Sequence, residues 1–314
     1  MADERKGLSY VVPAYNEEGG IQQTLERLDD ALSSCGLDYE IIVVNDGSRD
    51  NTAAIAASIP NVRLISHPTN CGYGGSIKSG IRHARYSWIG IVDADGTYPI
   101  EELPRLIEKM EMGFDMVVAK RANVLQMDAP IKRFFRSLFI AVVSFLVNKH
   151  VEDPNSGFRL FRADLARLFM PFLCQAFSFT TSLTVFSFGN GMFISYVPIE
   201  YHPRVGKSHV RHIRDSLRTA QLVLQGLMYF NPVKMALLAS AVFVVGGFLP
   251  ATGLASQGFV TAGAFYLAAF AVACVMILLG LLFDMLRIAT IQSSLRLLGK
   301  EAATGAEDSP PKSP

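Results

Sequence analysis

Between residues 8 and 119 the chain alternates two hydrophobic rhythms. Short apolar runs at Leu8–Val12, Tyr39–Val44, Val62–Ser66, Trp88–Val92 and Asp115–Ala119 read as strands. Between them, Gly20–Ser34, Asn51–Ser58, Gly74–Ala84 and Glu101–Met112 carry the spacing of one helix face. Strands and helices alternating in this way predict βαβ units, and so an α/β fold with a mostly parallel, doubly wound sheet. Ligands of such sheets bind beyond the carboxyl ends of the strands. That rule points to Pro13–Glu17, Asn45–Asp50, Asp93–Thr97 and Lys120–Arg121.

The rhythm changes after residue 120. Ile131–Val147 begins basic and continues apolar, with only about 11 uncharged residues after Arg136, too few to span a bilayer. It suits a helix lying in a membrane interface or a buried core helix. A loop over residues 152–164 follows, then a helical region from Leu165, a strand at Met192–Ile199, and a long helical pattern over Val210–Tyr229. Positions 235–283 then form a run of 49 residues with no Asp, Glu, Lys, Arg or His. A spanning helix needs about 20 apolar residues, so the run has room for two crossings, near Val233–Leu254 and Gly263–Ile288, and a tight turn. Arg211, Arg214, Arg218 and Lys234 precede it, and Arg287, Arg296 and Lys300 follow it. The positive-inside rule then places both termini in the cytoplasm. The expected organisation is a cytosolic α/β domain over 1–209, a juxtamembrane helix over 210–232, a transmembrane hairpin over 233–290, and a cytosolic, largely disordered tail over 291–314.

Composition sharpens this picture. The chain is 50% hydrophobic and 18% charged, against about 25% charged in average soluble domains, which excludes a disordered or collagen-like chain. The formal charge of +1 hides a split. Residues 1–119 hold 10 Lys+Arg against 18 Asp+Glu, net −8, and residues 120–234 hold 15 against 6, net +9. An acidic first part beside a basic second part suggests a metal or base-reading site next to an anion or membrane surface. Cys35, Cys71, Cys174 and Cys274 form no CxxC pair, so neither a disulfide framework nor a zinc site is expected. The six histidines are dispersed. The N-terminal residues lack the apolar run of a signal peptide, which keeps the first domain in the cytosol. Nothing in the pattern calls for a nucleic-acid partner.

Asp93-Ala94-Asp95 follows the strand WIGIV directly. Two carboxylates one residue apart, on the turn leaving a buried strand, can share a hard cation such as Mg2+ or Mn2+, usually together with substrate phosphates. A capped turn would use the same residues. Asn45-Asp46-Gly47-Ser48 also follows a strand, and Asp46 can accept N–H donors from a nucleobase. Tyr15 can pack on a base or ribose, and Glu17 can accept a hydroxyl. Asn70-Cys71-Gly72-Tyr73-Gly74-Gly75 lacks the GxGxxG spacing of a dinucleotide fingerprint.

Taken together, VVPAYNEE, VVNDGSRDNT and VDADGTYP resemble glycosyltransferase family 2, inverting enzymes of the GT-A, Rossmann-like fold, over about residues 8–210. GFRLFRAD, PRVGKS and the C-terminal apolar segments resemble the polyprenyl-phosphate glycosyltransferases within it. The resemblance implies transfer of a hexose from a UDP- or GDP-sugar to a membrane polyprenyl phosphate by metal-assisted single displacement. By the same resemblance Pro13, Tyr15, Glu17, Val44 and Asp46 hold the nucleotide. Asp93 and Asp95, with Ala94 between them, hold Mg2+ or Mn2+ on the diphosphate. Thr97 stands where a Gln can join the metal, and Asn45 stands where an Asp is usual. Arg204 and Lys207 belong to a loop that closes over the diphosphate. Arg121 and Arg136 take the acceptor phosphate, and Arg159 either joins them or pairs with Asp153. The chain would be an integral inner- or plasma-membrane protein, and relatives of this kind form homo-oligomers. Two other readings are a processive polysaccharide synthase and a non-catalytic, membrane-anchored sugar-nucleotide binding protein. A synthase usually carries a QxxRW-type motif and more membrane helices. A non-catalytic relative has no need of the intact DAD pair.

Overall fold

The computed structural model describes residues 5–175, 178–202, 231–254 and 259–307, with residues 221 and 228. The chain divides into two compact units, Met1–Gly226 and Leu227–Pro314.

The first unit is built on a seven-stranded sheet: β1 (Arg5–Ala14), β2 (Tyr39–Asn45), β3 (Val62–Ser66), β4 (Tyr86–Ile91), β5 (Met116–Arg121), β6 (Arg159–Arg162) and β7 (Ile194–Ile199). Their order is β3-β2-β1-β4-β6-β5-β7. β1 lies parallel to β2 and β4, β2 to β3, and β5 to β7, whereas β6 runs antiparallel to both neighbours. The mostly parallel sheet expected from the alternating pattern is present. The exception, β6, falls in the stretch read from sequence as a loop. Its four residues, RLFR, are too few to show a period, and its extended form comes from pairing on both sides.

The helices are α1 (Ile21–Ser34), α2 (Thr52–Ser58), α3 (Tyr73–His83), α4 (Leu103–Glu111), α5 (Val124–Met127), α6 (Pro130–Val147), α7 (Ala163–Phe169) and α8 (Phe179–Gly189). α1 buries Ile21, Leu25, Leu28 and Leu32, one stripe at helical spacing, while Gln22, Gln23 and Glu26 face water. These side chains share a core with Leu8, Tyr10, Val12, Ile41 and Val43 of β1 and β2. On α3, Gly80 lies directly against the Val11 side chain, so helix and strand approach closely.

α6 is not a core helix. Ile131, Phe134, Phe135, Leu138, Val142 and Phe145 are all exposed, and Val143 is its buried contact. It ends at Asn148, whose φ of 51° is the left-handed conformation that closes helices.

In the second unit, α9 (Pro232–Leu254) is followed by α10 (Phe259–Glu307). Among the described residues one helix, over Val260–Ala289, is long and apolar enough to cross a membrane, beside a shorter apolar stretch over Pro232–Gly246. Two crossings were expected. α9 and α10 pack through small residues: Gly280 meets the Ala236 side chain, and Ser240 Oγ donates to the carbonyls of Ala236 (2.7 Å) and Ala273 (2.9 Å). α10 is described to Glu307, past residue 291 where the tail was expected to begin. Leu, Arg, Lys, Glu and Ala in that stretch are good helix formers, and the first proline comes only at Pro310.

Candidate functional site

The carboxyl ends of β1, β2 and β4 meet along one edge. Pro13 of β1 pairs with Val44 of β2, and the chain then turns out of both strands side by side. The two loops are laced together. Asn16 N–H donates to Ser48 Oγ (3.0 Å), Arg49 N–H to Asn16 Oδ1 (2.8 Å), and Glu17 N–H to Thr52 Oγ1 (2.9 Å). Asn16 holds φ 54°, which swings Tyr15 and Glu17 to the half-buried rim.

Asp46, buried just beyond β2, is held from three sides. Cys71 N–H donates to its Oδ1 and Gly72 N–H to its Oδ2, both at 2.8 Å, and His67 Nδ1 lies 2.8 Å from Oδ1. His67 Nε2 meets Ser79 Oγ at 2.9 Å. The ligand atoms of Asp46, His67 and Cys71 lie within 4.8 Å of one another, the spacing of a metal trio. Both Asp46 oxygens already accept main-chain N–H groups, however, and this arrangement is a hydrogen-bonded brace. His67 and Cys71 stand 21 and 25 positions from Asp46, so no short spacing in the sequence reveals it.

Asp93 and Asp95 lie two and four residues past the end of β4 at Ile91. Thr97 donates to Asp95 Oδ1 through both its N–H (3.2 Å) and its hydroxyl (2.7 Å). Thr97 is fully buried, so it orients Asp95. Asp93 Oδ1 accepts the Tyr73 hydroxyl at 2.8 Å. Desolvation and the Asp93 charge hold the Tyr73 phenol well above the ordinary tyrosine value, so it stays a donor.

The reversed strand completes this corner. Because β6 runs against β4, with Arg159 opposite Ile91, the loop before β6 arrives at the same edge as Asp93. A Cβ on Gly157 would stand 2.6 Å from both Asp93 oxygens. Gly157 N–H donates to the Tyr98 hydroxyl at 2.8 Å. Gly157 is not in the left-handed region, so Gly157→Ala strains no backbone, and the group that must yield is the Asp93 carboxylate. Gly157→Ala is expected to cost about 1 kcal/mol or less in stability and roughly 10- to 100-fold in kcat/KM. Thermal unfolding and turnover measured on one preparation check this; equal losses in both would contradict it.

Arg121 ends β5, and its guanidinium forks onto Asp153, Nε to Oδ2 and Nη2 to Oδ1, each 2.8 Å. Burial alone would raise the Asp153 carboxyl, but the Arg121 charge and hydrogen bonds hold it below the ordinary value. The Arg121 cation also sits 5.3 Å from the centre of the Tyr201 ring. Tyr201 packs edge-on to Tyr98 at 5.1 Å. A chain of contacts thus runs from Arg121 through Tyr201, Tyr98 and Gly157 to Asp93.

Arg136 lies in a separate cluster, donating from Nε to Asp128 Oδ2 at 2.6 Å, with Lys132 3.1 Å from Oδ1. Arg159 is fully buried, and its guanidinium donates to the carbonyls of Pro154, Ser156 and Thr180 and to Thr184 Oγ1. The two roles expected for it were acceptor phosphate and Asp153. Its hydrogen bonds go to neither, and Asp153 is forked by Arg121. Burial lowers its pKa from the ordinary arginine value, yet an arginine stays charged in proteins. Arg204 and Lys207 lie outside the described residues, as does most of the expected helix over 210–232.

Residues 9–169 match the sequence profile of Glycosyl transferase family 2. The chain is 31% identical over 242 residues to a dolichyl-phosphate beta-glucosyltransferase of Trichomonas vaginalis, covering 71% of each chain. The chain belongs to glycosyl transferase family 2. Two other relatives of this glycosyltransferase are matched over little more than half their length. An undecaprenyl-phosphate 4-deoxy-4-formamido-L-arabinose transferase of Shewanella sediminis is 31% identical over 54% of this chain and 55% of its own. The dolichyl-phosphate beta-glucosyltransferase of Dictyostelium discoideum is 34% identical over 53% and 57%. Among solved structures, glucosyl-3-phosphoglycerate synthase from Mycobacterium tuberculosis, in complex with Mn2+, UDP-glucose and phosphoglyceric acid, superposes with a TM-score of 0.55 at 20% identity, over 71% of this chain and 80% of that one. The likeness shows the shared GT-A fold.

His67, Cys71, Tyr73, Tyr98, Asp128, Gly157 and Tyr201 are site residues to which the sequence assigned no role, and Asp153, expected only as a partner of Arg159, is forked by Arg121. Gly157 and Tyr98 stand inside the quoted motifs, where only their three-dimensional neighbours disclose what they do.

Proposed function

We propose that the enzyme transfers a hexose from a nucleoside-diphosphate sugar to a membrane polyprenyl phosphate, with inversion. The observation that carries this reading is the single edge where the braced Asp46, the Asp93/Asp95 pair and the clasped Arg121 lie in contact sequence. The relatives named above, called dolichyl- and undecaprenyl-phosphate transferases, supply the acceptor class.

The nucleotide would lie across Pro13, Tyr15, Glu17, Val44 and Asp46, Asp46 accepting N–H from the base on the lone pair that Gly72 N–H leaves on Oδ2. Two hard carboxylates on one turn fit Mg2+ or Mn2+, and such an ion supplies charge neutralisation to the departing diphosphate. The acceptor is a phosphate monoester with a second pKa of about 6, already an anion at neutral pH. One of its oxygens forms the bond to the anomeric carbon as the bond to the diphosphate oxygen breaks, and the nucleoside diphosphate leaves. No general base is required. The task left to the protein is to bring two anions together, and arginine forks suit it. Arg121 and Arg136 are assigned to the acceptor phosphate, and Arg204 and Lys207 to the loop over the diphosphate.

The exposed apolar stripe of α6, with Lys132, Arg133 and Arg136 beside it, suits a helix lying in the membrane interface. In this proposal residues 1–209 are the cytosolic catalytic domain, and α9 and the first part of α10 cross the inner or plasma membrane as a hairpin. At about 1.5 Å per residue, the 23 residues of α9 reach about 35 Å, enough for the hydrocarbon core. UDP and GDP donors, and a homo-oligomer formed through the hairpin, belong to the same proposal.

The test incubates detergent-purified protein and polyprenyl phosphate with a panel of radiolabelled UDP- and GDP-sugars. Label from one donor is expected in the lipid phase, and none from any donor would refute the reading. Arg136→Ala is expected to raise the KM for the lipid about 10-fold, as loss of one charge-assisted contact, and to leave the KM for the nucleotide sugar unchanged. The reverse pattern would mean that Arg136 serves the donor.

A further inference from the structure

We infer that Tyr73 is a positioning residue for Asp93, and that the loop carrying it sets the two donor-side carboxylates, Asp46 and Asp93, as one unit. The inference rests on the reading of Asp93 as a metal ligand given above. The loop from Thr69 to Gly75 carries the glycine-rich stretch that matched no nucleotide fingerprint and that the proposed reaction leaves unused. It reaches from Asp46, just beyond β2, to Asp93, just beyond β4, and β1 is the strand between those two. Three consecutive residues divide its work. Cys71 and Gly72 each point an N–H at Asp46, one to each oxygen, and Tyr73 sends its hydroxyl to Asp93 Oδ1.

The backbone makes this division possible. Gly72 has φ 88°, which a residue with a Cβ rarely adopts, and it turns the chain from the Asp46 side into the first turn of α3. α3 is then seated firmly. Gly80 presses on Val11, and Gly75 N–H donates to the Gln175 carbonyl at 2.9 Å. Tyr73 therefore projects from a fixed helix end, and its phenol has little freedom to follow Asp93 if that carboxylate rotates. On the other side Gly157 lies against the carboxylate, so close that a Cβ there would stand 2.6 Å from both of its oxygens. A carboxylate held this way is already ordered before a cation arrives. Outer groups that orient a metal ligand in this manner are typically worth 10- to 100-fold in metal affinity.

The experiment titrates Mn2+ into the purified full chain with UDP present, and in parallel with GDP, and reads the unbound ion by electron paramagnetic resonance. Wild type is compared with Y73F, Y73A and D93N, and unfolding midpoints are recorded for each. Y73F is expected to weaken Mn2+ binding about 10-fold, to keep the wild-type unfolding midpoint, and to bind the nucleotide in EDTA as wild type does. Y73A, which also loses the ring, is expected to weaken Mn2+ binding at least as much. A Y73F isotherm superimposable on wild type, beside a D93N isotherm that is shifted, would overturn the positioning role and leave the metal reading intact. A D93N isotherm equal to wild type would overturn the metal reading itself, and this inference with it. Loss of Mn2+ and nucleotide affinity together in Y73F, with a lowered unfolding midpoint, would overturn the inference in favour of a purely structural tyrosine.

Discussion

Asp95→Asn protein is expected to fold normally and to transfer sugar about 1,000-fold more slowly, a barrier change of about 4 kcal/mol. The two halves of this expectation come from the two oxygens of one side chain. Oδ1 accepts the N–H and hydroxyl of Thr97, and an asparagine carbonyl oxygen can accept both in its place. The second oxygen becomes an NH2 group, which has no lone pair for a cation, and the negative charge of the pair falls by one. The unfolding midpoint should therefore stay near that of wild type while turnover collapses. Lipid-linked label formed at saturating Mn2+ measures the rate. Chelating the metal should cost wild type about as much as the mutation does, and should cost Asp95→Asn little more, since both remove one interaction. A variant that kept the wild-type rate would show that Asp95 holds no catalytic metal.

Arg159→Met should act in the opposite way, through stability. The guanidinium sits in the core and donates to three main-chain carbonyls, of Pro154, Ser156 and Thr180. Methionine fills much of the volume but offers those oxygens no donor. A buried acceptor left unpaired costs about 1–3 kcal/mol. With partial repacking and the gain from an apolar side chain, a loss of roughly 3–5 kcal/mol is expected, at the upper end for single substitutions. A shifted denaturation midpoint would register it. The protein that remains folded at low temperature should show an unchanged KM for the acceptor lipid, because the arginine touches main chain and not phosphate. A raised KM with unchanged stability would return Arg159 to the acceptor site.

The sheet was legible because each strand from β1 to β5 is a compact apolar run, and because helices such as α1 bury one continuous stripe. The strand ends then located Asp46, Asp93, Asp95 and Arg121 with no contact information. β6 was not legible, since four residues show no period and its pairing partners lie more than 40 residues away in sequence, as Met116 does from Phe161. The roles of Arg159 and Thr97 were obscured for a related reason. A charge or a hydroxyl inside a motif shows neither its burial nor its partners, which here are main-chain carbonyls for Arg159 and the Asp95 carboxylate for Thr97. Tyr73 and Gly157 act across gaps of 20 and 64 residues on one carboxylate, through a phenol in one case and through the absence of a side chain in the other. No local pattern encodes either.

The Arg121–Asp153 fork joins the last residue of β5 to a residue 32 positions later, and the whole of α6 lies between them. The chain leaves the sheet at one post and returns at the same post, so that α6 hangs on a stirrup whose two straps are buckled together. Closing such a loop costs about 3 kcal/mol in chain entropy, and doubling its length adds only about 0.6 kcal/mol. On chain entropy alone a change in the stirrup's length is therefore cheap, while the buried Val143 and Val151 and the two hydrogen bonds between Asn123 and Tyr201 fix where it docks. In the proposed function this segment is the acceptor side, and the contacts of Arg121 with Tyr201, Tyr201 with Tyr98, and Tyr98 with Gly157 tie it to the Asp93 corner.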